Sequence, residues 1–573
     1  MLCTTYRPPN SCNIYWELLQ ESVAIAKSGT IPYIVITGDL NADPETLAGQ
    51  KLHQFLEANH LVAHVREPTR VTEMNSAILD QFISNIPCFI KKVVVESPVS
   101  TNDHCTIGLK LLFRTKKKSA YSRLIWDFKN TNWDSFRAAL QEANLDSYLN
   151  SDNVDTCCEQ LTNAILQVAK DIIPNKTVVI RPDDKPWFTE NLRRLRRVKE
   201  RNHSKAKKCN TPQNWELYRT SRNTYINELN SAKDEFEKTK YVTLAEEGQR
   251  NSKKWWHILK AVLGQTNDAS FPPLHIDGEI VTEDKDKAAA FNKFFSSAAQ
   301  LEDSHAVIED YLQGTEATLD YITVTEQDVF DQLSSLDINK AYGPDGLSPR
   351  LFKEGRDLIA PVLCKLFNLS LNNGVVPKIW KRANVLPIFK KGEKERLNNY
   401  RPVSLLNCGA KVFEKVVFKY VFNHFKDNFL ISTHQSGFLP GRSTITQLTE
   451  LYHAFCKAVS EGKEIRVVFL DISKAFDRVW HSGLLHKLEK FGIKGKLLSW
   501  FTNYLKDRYQ RVVINGQSSD WAKLKAGVPQ GAVLGPLLFL VFINDIVYVI
   551  RHCKIRLFAD NTCLFIEVQS NLY

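Results

Sequence analysis

Two apolar runs that each end in an aspartate do most to narrow what this chain can fold into. "EIRVVFLDISKAFDRVW" (Glu464 to Trp480) reads as a strand that delivers Asp471 at its end. "RLFADNTCLFI" (Arg556 to Ile566) reads as a β-hairpin whose tight two-residue turn is the polar dipeptide Asp560-Asn561. Asp and Asn both tolerate the positive φ that such a turn demands. Between the two lies "AGVPQGAVLGP" (Ala526 to Pro536), a Gly/Pro-rich loop opening a helix. One carboxylate at a strand end is ordinary, with helix capping or a turn as its plain role. A strand-end Asp, a Gly-Val-Pro-Gln-Gly loop and an Asp hairpin in that order are a different matter. A phosphoryl displacement held by two metal ions about 4 Å apart needs acidic groups gathered from separate strands.

The rest of the chain sets the frame. Its 573 residues predict about three or four domains at roughly 150 residues each. With 43% hydrophobic residues, buried cores are expected and wholesale disorder is not. Lys and Arg total 75 against 64 Asp and Glu. The excess is clustered in "RTKKK" (Arg114 to Lys118) and "RRLRRVKERNHSKAKK" (Arg193 to Lys208). Such runs suit a polyanion through counterion release, while for either run alone a solvated helix face is the favoured reading. The twelve cysteines form no C-x-x-C pair and no zinc spacing, so free thiols in a reducing compartment are expected. Pro8 and Pro9 stand where a signal peptide needs an apolar run. "AVLGPLLFLVFINDI" is too short to span a bilayer and reads as a buried helix.

Residues 1 to about 112 read as strands and loops, 113 to 265 as a basic helical connector broken at "RPDDKPWF", and 325 to 573 as a further domain. "SKKWWHILKAVLG" closes the connector as an amphipathic helix capped by Gly264. In "PVLCKLFNLSLNNGVVP", Leu363, Leu366, Phe367 and Leu371 share one helical face, and Gly374 then Pro377 end the helix.

A second constellation lies near the N-terminus. "ITGDLNAD" sets Asp39 and Asn41 two residues apart, on one face of an extended strand end, and "STNDHCTIGL" sets Asp103 beside His104. These groups suit phosphodiester hydrolysis. Asn positions phosphate, Asp activates water, and a carboxylate-oriented His stabilises developing charge. Alone, each motif is a common strand-end turn.

The C-terminal wording resembles the reverse transcriptases of non-LTR, LINE-like retrotransposons, with the jockey group nearest. The resemblance rests on "LDINKAYGPDGLSPRLFK", "WKRANVLPIFKKGE", "NNYRPVSLLNCGAKVFEKVV", "HQSGFLPGRST", "FLDISKAFDRVWH", "GVPQGAVLGPLLFLVFINDI" and "LFADNT", over about residues 325 to 570. It implies that Asp471 and Asp560 bind catalytic Mg²⁺ or Mn²⁺. It places Phe476 beneath the incoming sugar, where it excludes a ribose 2′-hydroxyl, and core packing beside the strand is compatible with that. It implies that Pro529, Gln530 and Gly531 contact nucleotide and template, and that Lys390 or Lys391, with Arg401, grip the triphosphate. The implied partners are element RNA as template, target DNA as primer, and dNTPs, with no membrane.

"TYRPPN", "PTRVTEMNSAILDQFISN" and the motifs at Asp39 and His104 resemble the exonuclease–endonuclease–phosphatase fold found upstream of reverse transcriptase in the same elements. That implies catalytic roles for Asp39, Asn41, Asp103 and His104, with Asp80 and Thr69 in support. Asn102 departs from the family's usual Ser. The expected architecture is α+β and multi-domain. It comprises a partial exonuclease–endonuclease–phosphatase sandwich, the connector, and right-hand polymerase fingers and palm truncated before the thumb. The family's metal-binding Glu and early Asn fall ahead of Tyr6, so no nicking is expected.

The sharpest departure is Asn561, where the family has a second Asp. It makes slow polymerisation the expectation. The alternative reading is a non-catalytic nucleic-acid-binding remnant of such an element. A mobile-intron type of reverse transcriptase fits the upstream nuclease motifs and "KAYGPDG" less well.

Overall fold

The computed structural model describes residues 2–28, 33–72, 75–86, 90–98, 103–112, 121–180, 185, 187–246, 255–256, 259–260, 271–301, 306–308, 311 and 314–569. Two compact units divide the chain: residues 1–119 with 181–269, and residues 120–180 with 270–573. The stretch expected as one connector is thus shared between them. Its "RTKKK" run, most of "RPDDKPWF" and most of "SKKWWHILKAVLG" lie outside the described residues.

The first unit opens with β1 (Leu2–Thr4), α1 (Ile14–Ser28), β2 (Val35–Asp39), α2 (Leu47–Asn59), β3 (Val62–Ala63), β4 (Arg70–Val71), β5 (Ser76–Ala77), β6 (Asp80–Ser84), β7 (Ile90–Glu96) and β8 (Thr106–Leu111). Four strands form a sheet in the order β1-β2-β6-β3, while β4-β5 and β7-β8 are separate antiparallel pairs. The two helices correct the reading of this stretch as strands and loops. Trp16, Leu19, Val23 and Ala26 recur at helical spacing on α1 and are buried with Ile36, Phe55 and Ile83. The next elements, β9 (Tyr121–Trp126), α3 (Trp133–Glu142), α4 (Val154–Ile172) and β10 (Asn175–Ile180), belong to the second unit. The connector was expected to be helical, yet β9 and β10 pair antiparallel. The chain then returns to the first unit for α5 (Glu190–Lys208) and α6 (Pro212–Glu246).

The second unit continues with β11 (Leu274–Ile276), β12 (Glu279–Val281), α7 (Asp284–Ala298), α8 (Glu326–Ser334), α9 (Arg356–Asn373), β13 (Arg382–Phe389), β14 (Tyr400–Leu405), α10 (Cys408–Asp427), α11 (Thr444–Ser460), β15 (Lys463–Asp471), α12 (His481–Lys490), α13 (Gly495–Leu505), β16 (Arg508–Ile514), β17 (Gln517–Ser518), β18 (Ala522–Leu524), α14 (Leu534–Ile543), β19 (Lys554–Phe558) and β20 (Asn561–Gln569). One sheet runs β14-β13-β16-β17 with β18 beside β16, and a second runs β15-β20-β19.

The largest core joins α3 and α4 to α9, α10, α13 and α14, with Phe136, Phe367, Phe413, Trp500 and Phe539 almost wholly buried. Phe367 and Phe413 stack at 4.3 Å. As predicted, Leu363, Leu366, Phe367 and Leu371 face this core, and Gly374 closes α9 at φ +62°. The apolar run after the Gly/Pro loop is α14, and most of its side chains are buried. Asn544, just past it, bonds Ser432 N and Leu430 O at 2.9 and 3.0 Å, which explains a polar residue there. No helix among the described residues is long and apolar enough to cross a membrane.

Candidate active site

The strand predicted to deliver Asp471 does so at the last residue of β15. The hairpin is built one residue differently from expectation. Phe558 pairs with Asn561, so the turn is Ala559-Asp560, and Ala559 takes the positive φ of +55°. Asn561 is the first residue of β20 and sits directly across from Asp471. Directly opposed residues of an antiparallel pair project to the same face, with Cβ atoms about 5 Å apart.

Neighbouring chain fixes the turn. His434 O accepts from Leu557 N and Leu557 O accepts from Ser436 N, both at 2.9 Å. The buried Gln435 Oε1 accepts from Gly437 N at 2.7 Å and Ala559 N at 2.9 Å. A Cβ on Gly437 would stand 2.2 Å from Ala559 N, so the close approach needs glycine.

A cavity of about 580 Å³ opens beside the turn. It is lined by Lys390, Arg401, Asp471, Phe476, Pro529, Gln530, Gly531 and Asp560 among others. Eight residues singled out from sequence, spread over five motifs, therefore share one space. Lys391 and Asn561 do not line it. Asn561 instead lines an adjoining hollow of about 310 Å³ with Leu451, Phe469 and Thr562, and Asp471 borders both.

Phe476 has two faces of use. Its ring stacks on Phe539 at 4.8 Å and meets Phe438 edge-on at 5.8 Å, while the residue also lines the cavity. The Gly-Val-Pro-Gln-Gly loop is tied on three sides. Gly527 N donates to Val479 O, Val528 N to Phe476 O, and Ser404 N to Gln530 O, each at 2.8 Å. Gly531 holds φ +123°, where a Cβ would come within 2.6 Å of Ser404 O.

Three contributors were not legible as site residues. Gln530 Nε2 donates to Asp477 Oδ1 at 2.9 Å, locking the loop to the residue after Phe476. Burial raises the Asp477 carboxyl, while Gln530, Lys474 and Arg401 pull it back down. Lys474, in left-handed backbone at φ +54°, places its ammonium 4.3 Å over Phe294 at the cavity wall. Glu414 on α10 is fully enclosed and caps α14 from a distance. Its carboxylate accepts from Val533 N at 2.6 Å, Leu534 N at 3.2 Å and Tyr504 Oη at 3.0 Å. Desolvation raises its pKa against the opposing pull of Arg508 and these bonds. Only long-range packing brings Glu414 to the loop, and no local pattern signals it.

In the first unit, Asp39, Asp80 and His104 offer ligand atoms within 4.8 Å of one another. It is the one such cluster of three His, Cys, Asp or Glu side chains among the described residues. β2 pairs Asp39 directly with Asp80 of β6. His104 Nδ1 meets Asp80 Oδ2 at 2.8 Å, so Asp80 orients the imidazole, whereas Asp103 accepts from Arg70 Nε at 2.6 Å. Burial, with Asp80 adding to it, raises the Asp39 carboxyl despite the bond from Asn41 N.

Asn41 lies beyond the strand in left-handed backbone at φ +42°, so strand alternation does not place it beside Asp39. Its Nδ2 donates to Arg7 O at 2.8 Å. Thr69, wholly buried, accepts from Leu79 N and Asp80 N through Oγ1 and from Cys105 N through its carbonyl. It thereby holds the Asp80 and His104 segments together.

Residues 388–572, which include most of the cavity lining, match the family model described as Reverse transcriptase (RNA-dependent DNA polymerase). Among curated relatives, the chain is similar to the probable RNA-directed DNA polymerase from transposon BS of Drosophila melanogaster, 30% identical over 47% of this chain and 30% of the relative. It is also similar to the RNA-directed DNA polymerase from mobile element jockey of the same species, 34% identical over 42% of this chain and 26% of the relative. The jockey protein of Drosophila funebris is 31% identical over 44% of this chain and 28% of the relative. The matches thus span under a third of each relative's length. They are consistent with a jockey-type non-LTR element carrying a reverse transcriptase domain.

Proposed function

We propose that the second unit is the fingers and palm of an RNA-directed DNA polymerase, and that the first carries part of a linked exonuclease–endonuclease–phosphatase fold. The element's RNA is the template, nicked target DNA the primer and dNTPs the substrate. The observation that carries the reading is the meeting of Asp471, Asp560, Phe476, the 529–531 loop, Lys390 and Arg401 around one cavity.

The donor set fits a hard divalent cation, since Asp471 and Asp560 are carboxylates lining a cavity that the cations Lys390 and Arg401 also line. Mg²⁺ or Mn²⁺ held by them would neutralise charge on the attacking and leaving oxygens. Lys390 and Arg401 would bind the triphosphate and stabilise charge as pyrophosphate departs. Phe476, stiffened by its stack on Phe539, would form the floor under the sugar and exclude a 2′-hydroxyl. Gln530, held by Asp477 and Ser404, would fix the loop against base and template. In the first unit, where no nicking is expected of this chain alone, His104 oriented by Asp80 would stabilise charge on a phosphodiester once the fold's metal-binding Glu is supplied. Asp39, its carboxyl raised by burial, would hold the proton taken from water.

Primer extension on an RNA template in Mg²⁺ or Mn²⁺ is the test. Incorporation of dNTPs that Asp471→Ala abolishes supports the reading, and incorporation indifferent to that change rejects it.

A further inference from the structure

The basic run 193–208 is not absorbed by either chemical site, and its structure is specific. On α5 the exposed cations Arg194, Arg197, Arg201, Lys205 and Lys208 follow one another at intervals of three, four, four and three residues. At 100° per residue these fall within an arc of about 80°, and at 1.5 Å per residue the stripe is about 21 Å long. The opposite face carries the buried Leu192, Lys199, His203 and Ala206.

A merely solvated face would mix signs, because like charges at these intervals weaken a helix. The two acids of α5 are both engaged elsewhere. Glu190 pairs with Arg193, and Glu200 turns inward to accept from Ser97 Oγ at 2.8 Å. No ion pair reaches Arg197, Arg201, Lys205 or Lys208 among the described residues.

The inner face bolts α5 to the segment that leads to Asp103 and His104. The buried Lys199 ammonium donates to Pro98 O at 3.0 Å, and Arg196 pairs with Glu96 at the end of β7 at 3.7 Å. Ala206, Trp215 and Tyr218 pack on Val71, whose neighbour Arg70 holds Asp103. The stripe is therefore rigidly fixed within the unit that holds the phosphodiester cluster.

We propose that this face of α5 docks the phosphate backbone of duplex DNA. The stripe is straight, regular and free of aromatic side chains. Single strands are held by stacking of bases on such rings, so the chemistry favours a duplex. The proposal concerns binding alone and stands whether or not the second unit polymerises.

The test is fluorescence anisotropy of the full chain with a labelled DNA duplex across a salt series. The variant is Arg197→Gln, Arg201→Gln, Lys205→Gln, Lys208→Gln, with circular dichroism to confirm its helix. At about 0.9 per phosphate contact, the slope of log affinity against log salt should fall by about 3 to 4. Equivalently, wild type should lose roughly 150-fold more affinity than the variant between about 50 and about 200 mM salt. A second variant that keeps charge, Arg197→Lys with Arg201→Lys, should retain the slope. An unchanged slope in the neutralised variant overturns the proposal. So does an equal or larger loss on single-stranded RNA or an RNA duplex, which would assign the stripe to RNA.

Discussion

Replacing Glu414 by alanine removes the acceptor of three bonds at once and tests how the 529–531 loop and the start of α14 are held. Val533 N, Leu534 N and Tyr504 Oη would each lose their partner inside the core. A buried donor left unmade costs about 1–3 kcal/mol. Burial desolvates the carboxylate and raises its pKa, so its removal returns part of that cost. The balance is a loss of about 3–5 kcal/mol at the start of α14. Hydrogen exchange of the segment spanning Val533 and Leu534 reads it directly, as protection reduced roughly 150- to 5000-fold. Dinucleotide or dNTP protection of the 529–531 loop should weaken with it.

Glu414→Gln keeps an acceptor for the backbone and a donor for Tyr504, and should hold most of the protection. The pH dependence has a definite sign. The folded pKa lies above the unfolded value, so the folded state binds the proton more tightly. Stability from this group is complete below the unfolded pKa and falls as pH rises through the folded one. Glu414→Gln should flatten that fall. A loss of protection under tenfold in Glu414→Ala would refute the view that this carboxylate sets the loop.

Three further outcomes are expected. Asn561→Asp should tighten Mn²⁺ binding at the cavity and raise primer extension roughly 30- to 1000-fold, the equivalent of about 2–4 kcal/mol, and equal rates would reject the shortfall of charge. Gly531→Ala must move Ser404 or the loop, because its Cβ would lie 2.6 Å from Ser404 O at φ +123°. It should cost about 1–3 kcal/mol and weaken dNTP binding by titration, which undiminished binding would contradict. Asp328, buried yet held down to about 2 by Lys419, Thr325 and Tyr420, should stabilise the second unit above the unfolded carboxylate pKa and lose that support as pH falls through about 2. With Lys419 half exposed and screened, Asp328→Asn should cost about 1–2 kcal/mol at neutral pH and flatten the acid limb of a melting-temperature profile.

What sequence could show here was whatever is local. β15, α14 and the end of α9 follow from apolar periodicity and a capping glycine, and each stands where that pattern put it. The mixed connector was not legible because chain order says nothing of which unit a segment joins. α3 and α4 carry amphipathic faces that fit either a spacer or a core, and only the contacts of Phe136 and Leu161 decide. The site divides the same way. Residues in worded motifs, such as Asp471 and Gln530, could be singled out as candidates and come to line one cavity, whereas Glu414, Asp477, Gln435 and Lys474 act through contacts with distant chain that no spacing announces.

The hairpin shows why one residue of register matters. If Asp560-Asn561 were the turn, Asn561 would be a local conformational choice and nothing more. In β20 it stands opposite Asp471, and a carboxylate there would set two like charges across the sheet, which is destabilising without a cation between them. The amide relieves that repulsion at the cost of a ligand. It also turns to the hollow beside α11 rather than to the cavity lined by Lys390 and Arg401, so its lack of charge is felt through Asp471, which borders both. A second carboxylate at 561 should therefore make stability of the hairpin depend on divalent cation more steeply than in the present chain, where only Asp471 and Asp560 offer charge to it. Hydrogen exchange at Cys563 and Leu564 with and without Mn²⁺ separates the two. Protection gained on adding Mn²⁺ that is as large in the present chain as in Asn561→Asp would mean that Asp471 and Asp560 already suffice as ligands, and that the amide costs less than its missing charge implies.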